Sequence, residues 1–385
     1  MNSFMAQDNS IKHIIKDIQR KYAPDRRVEV FEIDIHQKGD ISVLIGSTTS
    51  RDAYEELVSR AKGKNPDVID SIRLLPDKNL GDKKEGIIYN SVGTIRYAPR
   101  YNSEMVTQTL LGVKVKILEE KNSWRRIQTP DKYIGWINGS VKPLTKDEIV
   151  NYDNQKKVCI ISVYATSYEE PNATSNPVSD LVIGNTLVYQ SENQEFYNVV
   201  YPDGREAYID KSDALTYDKW SKSVDLSGEG IVKTALKFKG IPYLWGGTSS
   251  KGLDCSGFTK IVYLMHGVNL PRDASQQVSN GLLIDSIGEF HKLKPGDLMF
   301  FGTKGPKGTI DNESFENNEP IDERVVHVGI YIGDNHFIHA SDYIRINSLN
   351  PADVLYDNFN TNRYLRAKRY IENGQYINVE TIYEL

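Results

Sequence analysis

At 385 residues, with 39% hydrophobic and 26% charged residues, the chain is long enough for two or three separate cores, and no apolar run approaches the roughly 18 to 20 residues that cross a bilayer. A formal net charge of −5 with no basic tract removes the long-range attraction that nucleic-acid binding relies on, which excludes DNA and RNA as partners. The two cysteines, Cys159 and Cys255, fall in different predicted domains, which argues against a disulfide, and they are too few for a Cys-ligated zinc. No metal or cofactor site is read from the sequence.

The start, MNSFMAQDNS, lacks a basic region followed by an apolar core and does not read as a signal peptide, although SFMAQ reads equally as the remnant of a removed one. The compartment, periplasm and cell envelope or cytoplasm, is left open. Ile11, Ile14, Ile15 and Ile18 recur at helical spacing and predict an amphipathic helix ending near Pro24. Two alternating stretches (RVEVFEIDIHQ and ISVLIGSTTS), a helix capped by Ser50 and a third strand (IDSIRLLP) complete a small α+β domain over residues 1–80. His36 reads as a strand surface residue.

The middle of the chain repeats itself at an offset of 72 residues: Gly112 matches Gly184, Trp124 matches Phe196, Pro130-Asp131 matches Pro202-Asp203, and Trp136-Ile137 matches Tyr208-Ile209. Short alternating segments with turns about every ten positions predict small all-β barrels, at 81–148 and 149–222. The stretches SWRRIQTPDKYIGWI and EFYNVVYPDGREAYI resemble bacterial SH3-like modules. TYDKWSKSVDLSGEG then reads as a linker into a fourth domain, 223–385, where Ile231, Ala235 and Phe238 predict a helix ended by Gly240.

In DCSGFTKIVYLMHG, Phe258, Ile261, Val262 and Met265 fall at i, i+3, i+4, i+7, so a helix starts near Cys255 and ends before Gly267. A thiol on a first helical turn meets unpaired N–H groups and the positive end of the macrodipole, which lowers its pKa. Asp254 and Ser256 are placed to cap that turn. The alternative, a buried cysteine acting as a small hydrophobe, stays open at this point. In HVGIYIGDNHFIHAS, a hairpin around Gly333-Asp334-Asn335, the even positions Val328, Ile330, Ile332, Ile338 and Ala340 are apolar while His327 and His339 are odd. The two rings share a face only if the turn holds an odd number of residues or the pair carries a bulge, which makes a base and its orienting partner available. His336 reads as a turn residue, His266 and His291 as structural or surface groups.

The motifs DCSGF, LPRDASQQ, LKPGDLMFF and HVGIYIG…FIHAS, in this order, resemble the NlpC-type cysteine peptidases, over about residues 227–370. The resemblance implies an α+β multidomain chain ending in a papain-like peptidase domain, with Cys255 as nucleophile, His327 as general base and His339 as its orienting residue. It also implies oxyanion stabilisation by the Cys255 N–H and a group near YLWGG. The acid-rich stretch 303–324 departs from the short connection usual in that family and is expected to be a surface loop.

Two SH3-like modules before the peptidase, with SEMVTQTLLG and DKYIGWI in the first, are similar to the γ-D-glutamyl-L-diamino-acid endopeptidases of murein-peptide recycling. That similarity implies murein-derived peptides with a free N-terminal L-Ala as substrate. It implies Glu104 as the partner of the substrate ammonium, Tyr133 on the same wall, and Tyr243, Trp245, Asp254, Ser256 and Ser275 as further substrate contacts. On the residues alone, Glu104 reads equally as a solvated strand residue and Trp245 as core. Asn176 stands at the Glu104 position of the second module. Two competing readings are a papain-like amidase or acyltransferase and a non-catalytic wall-binding protein; oligomeric state, the diamino acid accepted and the role of the N-terminal unit are not legible.

Overall fold

The structure, a computed structural model, describes residues 2–38, 41–305, 315–316, 319–320 and 322–379. Helix Asn2–Tyr22 and a three-stranded sheet (Phe31–Lys38, Ile41–Thr48, Ile69–Leu74) open the chain. The first pair is antiparallel and the second parallel, and the crossover a parallel pair requires is helix Arg51–Lys64, whose cap Ser50 accepts the Ala53 N–H at 3.2 Å. Ile11, Ile14, Ile15 and Ile18 are buried against Leu44, Ala53 and Leu57 in a core of their own.

Two seven-stranded sheets follow. In spatial order the first runs Val141–Leu144, Glu85–Ile88, Lys114–Lys121, Trp124–Gln128, Ile134–Asn138, Val92–Arg96, Met105–Leu110. The second runs Ala214–Thr216, Lys157–Ile160, Thr186–Glu192, Phe196–Val200, Glu206–Asp210, Tyr164–Tyr168, Pro177–Val182. Each strand pairs with its counterpart about 72 residues on and the spatial order is the same, so the sequence repeat is a repeat of topology. Gly112 and Gly184 both have φ of 85°, a left-handed turn conformation that favours glycine. The sheets abut there: a Cβ on Gly112 would meet the Thr186 carbonyl oxygen at 2.3 Å.

The stretch expected to be a bare linker instead holds helix Tyr217–Ser223, because Trp220 is buried in the main core and needs a helical turn to reach it. The next helix, Gly228–Leu236, stops short of Gly240, which lies four residues further on with φ of 90°. Beyond it an antiparallel six-stranded sheet runs Leu282–Asp285, Tyr364–Arg369, Leu298–Lys304, Glu323–Gly333, His336–Ser341, Tyr343–Ser348. Phe300, Val328, Ile330, Ile338 and Ala340 join Phe258, Ile261 and Val262 of helix Cys255–Leu264 in the largest core. Met299, Phe301, Tyr331 and Phe337 form a smaller cluster. Most of the acid-rich stretch 303–324 lies outside the described residues. Among the described residues no helix is long and apolar enough to cross a membrane.

Candidate active site

Cys255 is the first residue of its helix, as the sequence predicts, and Asp254 is the cap: its Oδ1 accepts the Gly257 N–H at 2.7 Å and its Oδ2 the Gly246 N–H at 3.0 Å. A residue the sequence reading passed over holds this turn. Arg272, buried, donates through Nη1 and Nη2 to the two Asp254 oxygens, through Nη1 to Ser256 Oγ (2.9 Å) and through Nε to Thr107 Oγ1 (2.9 Å) in the first seven-stranded sheet. One guanidinium thus orients the residues on both sides of the thiol and ties them to that sheet. The only advance signal was its place in LPRDASQQ.

The expected low thiol pKa is overturned. Cys255 is buried in the main core, and burial, seconded by the Asp254 carboxylate, pushes the thiol up to about 12 against the pull of the Val328 and Ser256 N–H groups and Arg272. The helix terminus does not offset that loss of hydration.

The hairpin has the two-residue turn Asp334-Asn335, both residues at positive φ (49° and 59°), and a bulge at Ile332 restores the odd register the two histidines need. Of the alternatives stated above, the bulge holds. A second bulge at Val326 breaks the ladder immediately before His327. His327 Nε2 lies 2.8 Å from His339 Nδ1, and His339 Nε2 lies 2.9 Å from Asn347 Oδ1. Asn347 donates its Nδ2 to the Leu355 carbonyl (3.0 Å), so its Oδ1 is the acceptor. The tautomers follow along the chain: His339 carries its proton on Nε2, His327 carries its proton on Nε2, and His327 Nδ1 keeps a lone pair.

The rings are enclosed by aromatic neighbours, Phe301 against His327 (centroids 5.8 Å) and Phe337 against His339 (4.8 Å). Burial therefore holds His327 well below the ordinary imidazole range, with His339 and Arg363 as further causes, and lowers His339 too. Both shifts favour the neutral form of each group. Arg363, whose charge bears on Cys255, His327 and His339 alike, and the Val328 N–H beside the sulfur link the helix to the histidine strand.

A cavity of about 300 Å³ opens at Cys255. Every substrate-contact candidate lines it: Glu104, Tyr133, Tyr243, Trp245, Asp254, Ser256 and Ser275. Trp245 is not core but 64% exposed, and its indole N–H donates to Glu104 Oε1 at 2.7 Å, joining the first seven-stranded sheet to the loop ahead of the Cys255 helix. Glu104 is exposed rather than buried. Arg27, from the N-terminal unit, also lines the cavity and was not anticipated. His266 is structural, bonded to Thr234 Oγ1 and the Asp225 carbonyl; His336 sits at the turn beside Asp353 and His36 is exposed. Both cysteines are free.

Comparison with known proteins meets this geometry from outside. The family model described as NlpC/P60 matches residues 240–313, which includes Cys255 and stops before the two histidines, and the model of the bacterial dipeptidyl-peptidase SH3 domain matches residues 95–140. The chain is 30% identical over 275 residues to the γ-D-glutamyl-L-lysine dipeptidyl-peptidase of Bacillus cereus (strain ATCC 10987 / NRS 248), covering 68% of this chain and 76% of that one. It is 28% identical over 285 residues to dipeptidyl-peptidase 6 of Lysinibacillus sphaericus, covering 70% and 93%. A crystal structure of an NlpC/P60 family protein from Bacillus cereus ATCC 10987 superposes with a TM-score of 0.61 at 25% identity, over 75% of this chain and all of that one. With an SH3 domain set ahead of a cysteine-bearing helix and a cleft between them, the chain belongs to the NlpC/P60 family of cysteine peptidases.

Proposed function

We propose that this protein is a cysteine endopeptidase that cuts the bond between γ-D-Glu and the diamino acid of murein peptides carrying a free N-terminal L-Ala. One observation carries the reading: side chains from the first seven-stranded sheet and from the peptidase domain, with a carboxylate among them, converge on one small cavity at Cys255. A pocket of that size suits a dipeptide. In this reading the second seven-stranded sheet is a second SH3-like module and the fourth domain is papain-like.

Cys255 is the nucleophile and His327 the general base. On attack the thiol proton passes to His327 Nδ1 as the sulfur bonds to the γ-carbonyl carbon; the imidazolium that forms is stabilised through Nε2–H by His339, itself held by Asn347. The Cys255 N–H at the helix terminus is the donor for the developing oxyanion, and the Tyr243 hydroxyl, kept protonated by burial, lines the same cavity as a second donor. His327 then protonates the departing amine, leaving a thioester, and a water deprotonated by the same nitrogen releases the dipeptide and restores the thiol. The Glu104 carboxylate, aimed by Trp245, takes the substrate ammonium.

Incubation with L-Ala-γ-D-Glu-diaminopimelate and analysis of the products by mass tests the reading. Release of L-Ala-D-Glu and free diaminopimelate is expected, and Cys255→Ala releases neither. An intact tripeptide beside cleavage of the muramoyl–L-Ala amide in an added muramoyl-tripeptide, or transfer of the acyl group to an added amine without hydrolysis, would assign the amidase or acyltransferase chemistry instead.

A further inference from the structure

We propose that Arg27, carried by the loop between the first helix and first strand of the N-terminal unit, is a positioning residue of the peptidase cleft that sets Ser275 and Asp273, so that this unit completes the substrate wall. The proposal rests on the reading of the cavity at Cys255 as the peptide site.

The loop is built to aim one guanidinium. Asp25 Oδ1 accepts the Arg27 backbone N–H (2.9 Å) and its Nε–H (2.8 Å), while Oδ2 accepts Nη2–H (2.9 Å), a two-pronged pairing that fixes the plane of the group. Nη1 then projects across the domain boundary, donating to Asp273 Oδ2 (3.0 Å) and Ser275 Oγ (2.9 Å). Gln276 returns the contact, its Nε2 donating to Asp25 Oδ2 at 2.8 Å. On the other side the Arg27 carbonyl accepts the Ile134 N–H at 2.7 Å, next to Tyr133, and Gln128 Nε2 donates to the Val28 carbonyl at 3.0 Å. A single turn of chain is thereby fastened to both walls of the cleft, at the points where Tyr133 and Ser275 enter it.

The consequence for Ser275 is directional. Its helix, Ala274–Gln277, is one turn long and does little to hold the side chain by itself. A hydroxyl oxygen that accepts from Arg27 turns its own hydrogen away, toward an acceptor in the cavity such as a substrate carboxylate or carbonyl. The unit that supplies Arg27 is itself fixed to the first SH3-like module by the Arg126 pair with Glu32 (2.6 Å), the Arg73 pair with Glu119 (2.9 Å) and an apolar seam of Val30 and Leu75 against Leu118 and Ile134.

Steady-state kinetics of the full chain on L-Ala-γ-D-Glu-L-Lys, together with hydrogen exchange, tests the assignment. Arg27→Ala is expected to raise KM about tenfold or more with kcat within threefold and to speed exchange in the 272–278 segment alone. Arg27→Lys, which keeps a donor for Ser275 but not the fork to Asp25, is expected to fall between that variant and the wild type. A lower melting temperature with unchanged KM would make Arg27 merely structural and overturn the proposal, as would unchanged exchange at 272–278. If the wild-type chain cleaves no such peptide, the substrate reading fails by itself; exchange then decides on Arg27, an increase confined to 272–278 supporting it and no change overturning it.

Discussion

The two seven-stranded sheets have the same strand order at the same offset, yet only the first enters the cleft. It supplies Glu104, Val106 and Tyr133 to the cavity and Thr107 to Arg272. At the corresponding positions the second carries Asn176, bonded to its own Glu169, and Arg205, paired with its own Asp203 and lying over Tyr201. A shared scaffold therefore says nothing about a shared role: the difference lies in a few loop and strand-end side chains and in which copy docks beside the thiol.

The second sheet also holds the other cysteine, and this gives the sharpest way to break the comparison. Cys159 is buried like Cys255, though deeper (2% against 9% exposed) and away from the cavity, and burial pushes its thiol, too, up to about 12. Replacement of Cys255 by alanine is expected to lower the rate by roughly a thousandfold or more, whereas Cys159→Ala leaves it within about twofold, so that burial and pKa do not by themselves make a nucleophile. Comparable losses in both variants, in a rate assay normalised for folded protein, would erase the distinction.

The next largest effect falls on stability. Arg272→Met strands the Asp254 carboxylate in a buried turn and is expected to cost about 3–5 kcal/mol in urea unfolding. By contrast Arg205→Met, beside the second seven-stranded sheet, removes a partly exposed pair and is expected to cost under about 1 kcal/mol. A smaller split is expected in specificity: Glu104→Gln should lower kcat/KM for free-amine tripeptides by roughly 30-fold, about 2 kcal/mol, while Asn176→Ala changes nothing measurable.

Much of this was legible beforehand, and the misses share a cause. Periodicity exposed the repeat and the helix that begins at Cys255, because these are local patterns of apolar spacing; it put His327 and His339 on one face only on condition of an odd turn or a bulge, and the bulge came from the structure. What the linear chain hides is who meets whom across domains. Arg272, Arg27 and Asn347 act through partners 16 to 248 residues away or through a neighbouring strand. The thiol pKa was misjudged for a related reason: a helix terminus is visible in sequence, while the degree of burial, which decides the sign here, is set by packing. Trp220 in the expected linker shows the same failure, since a lone aromatic among polar residues reads as loop until its core is known.

The mildest expected effect is on pH. Burial lowers the folded-state pKa of His327, His339 and His266, whereas in the unfolded chain they return to about 6.5. The unfolded chain therefore binds more protons as pH falls through that value, so the stability present above about pH 6.5 is progressively lost below it. Urea midpoints between pH 8 and 5 should decline accordingly, and His266→Gln, away from the cleft, should flatten the slope without touching the catalytic pair.

The most direct test of selection by the first module is the ratio of kcat/KM for L-Ala-γ-D-Glu-L-Lys to that for its N-acetylated form, taken in the wild type and in Glu104→Gln. A ratio well above ten that falls toward one in the variant is expected. Equal rates in the wild type, or a ratio that survives the substitution, would contradict the role assigned to that wall.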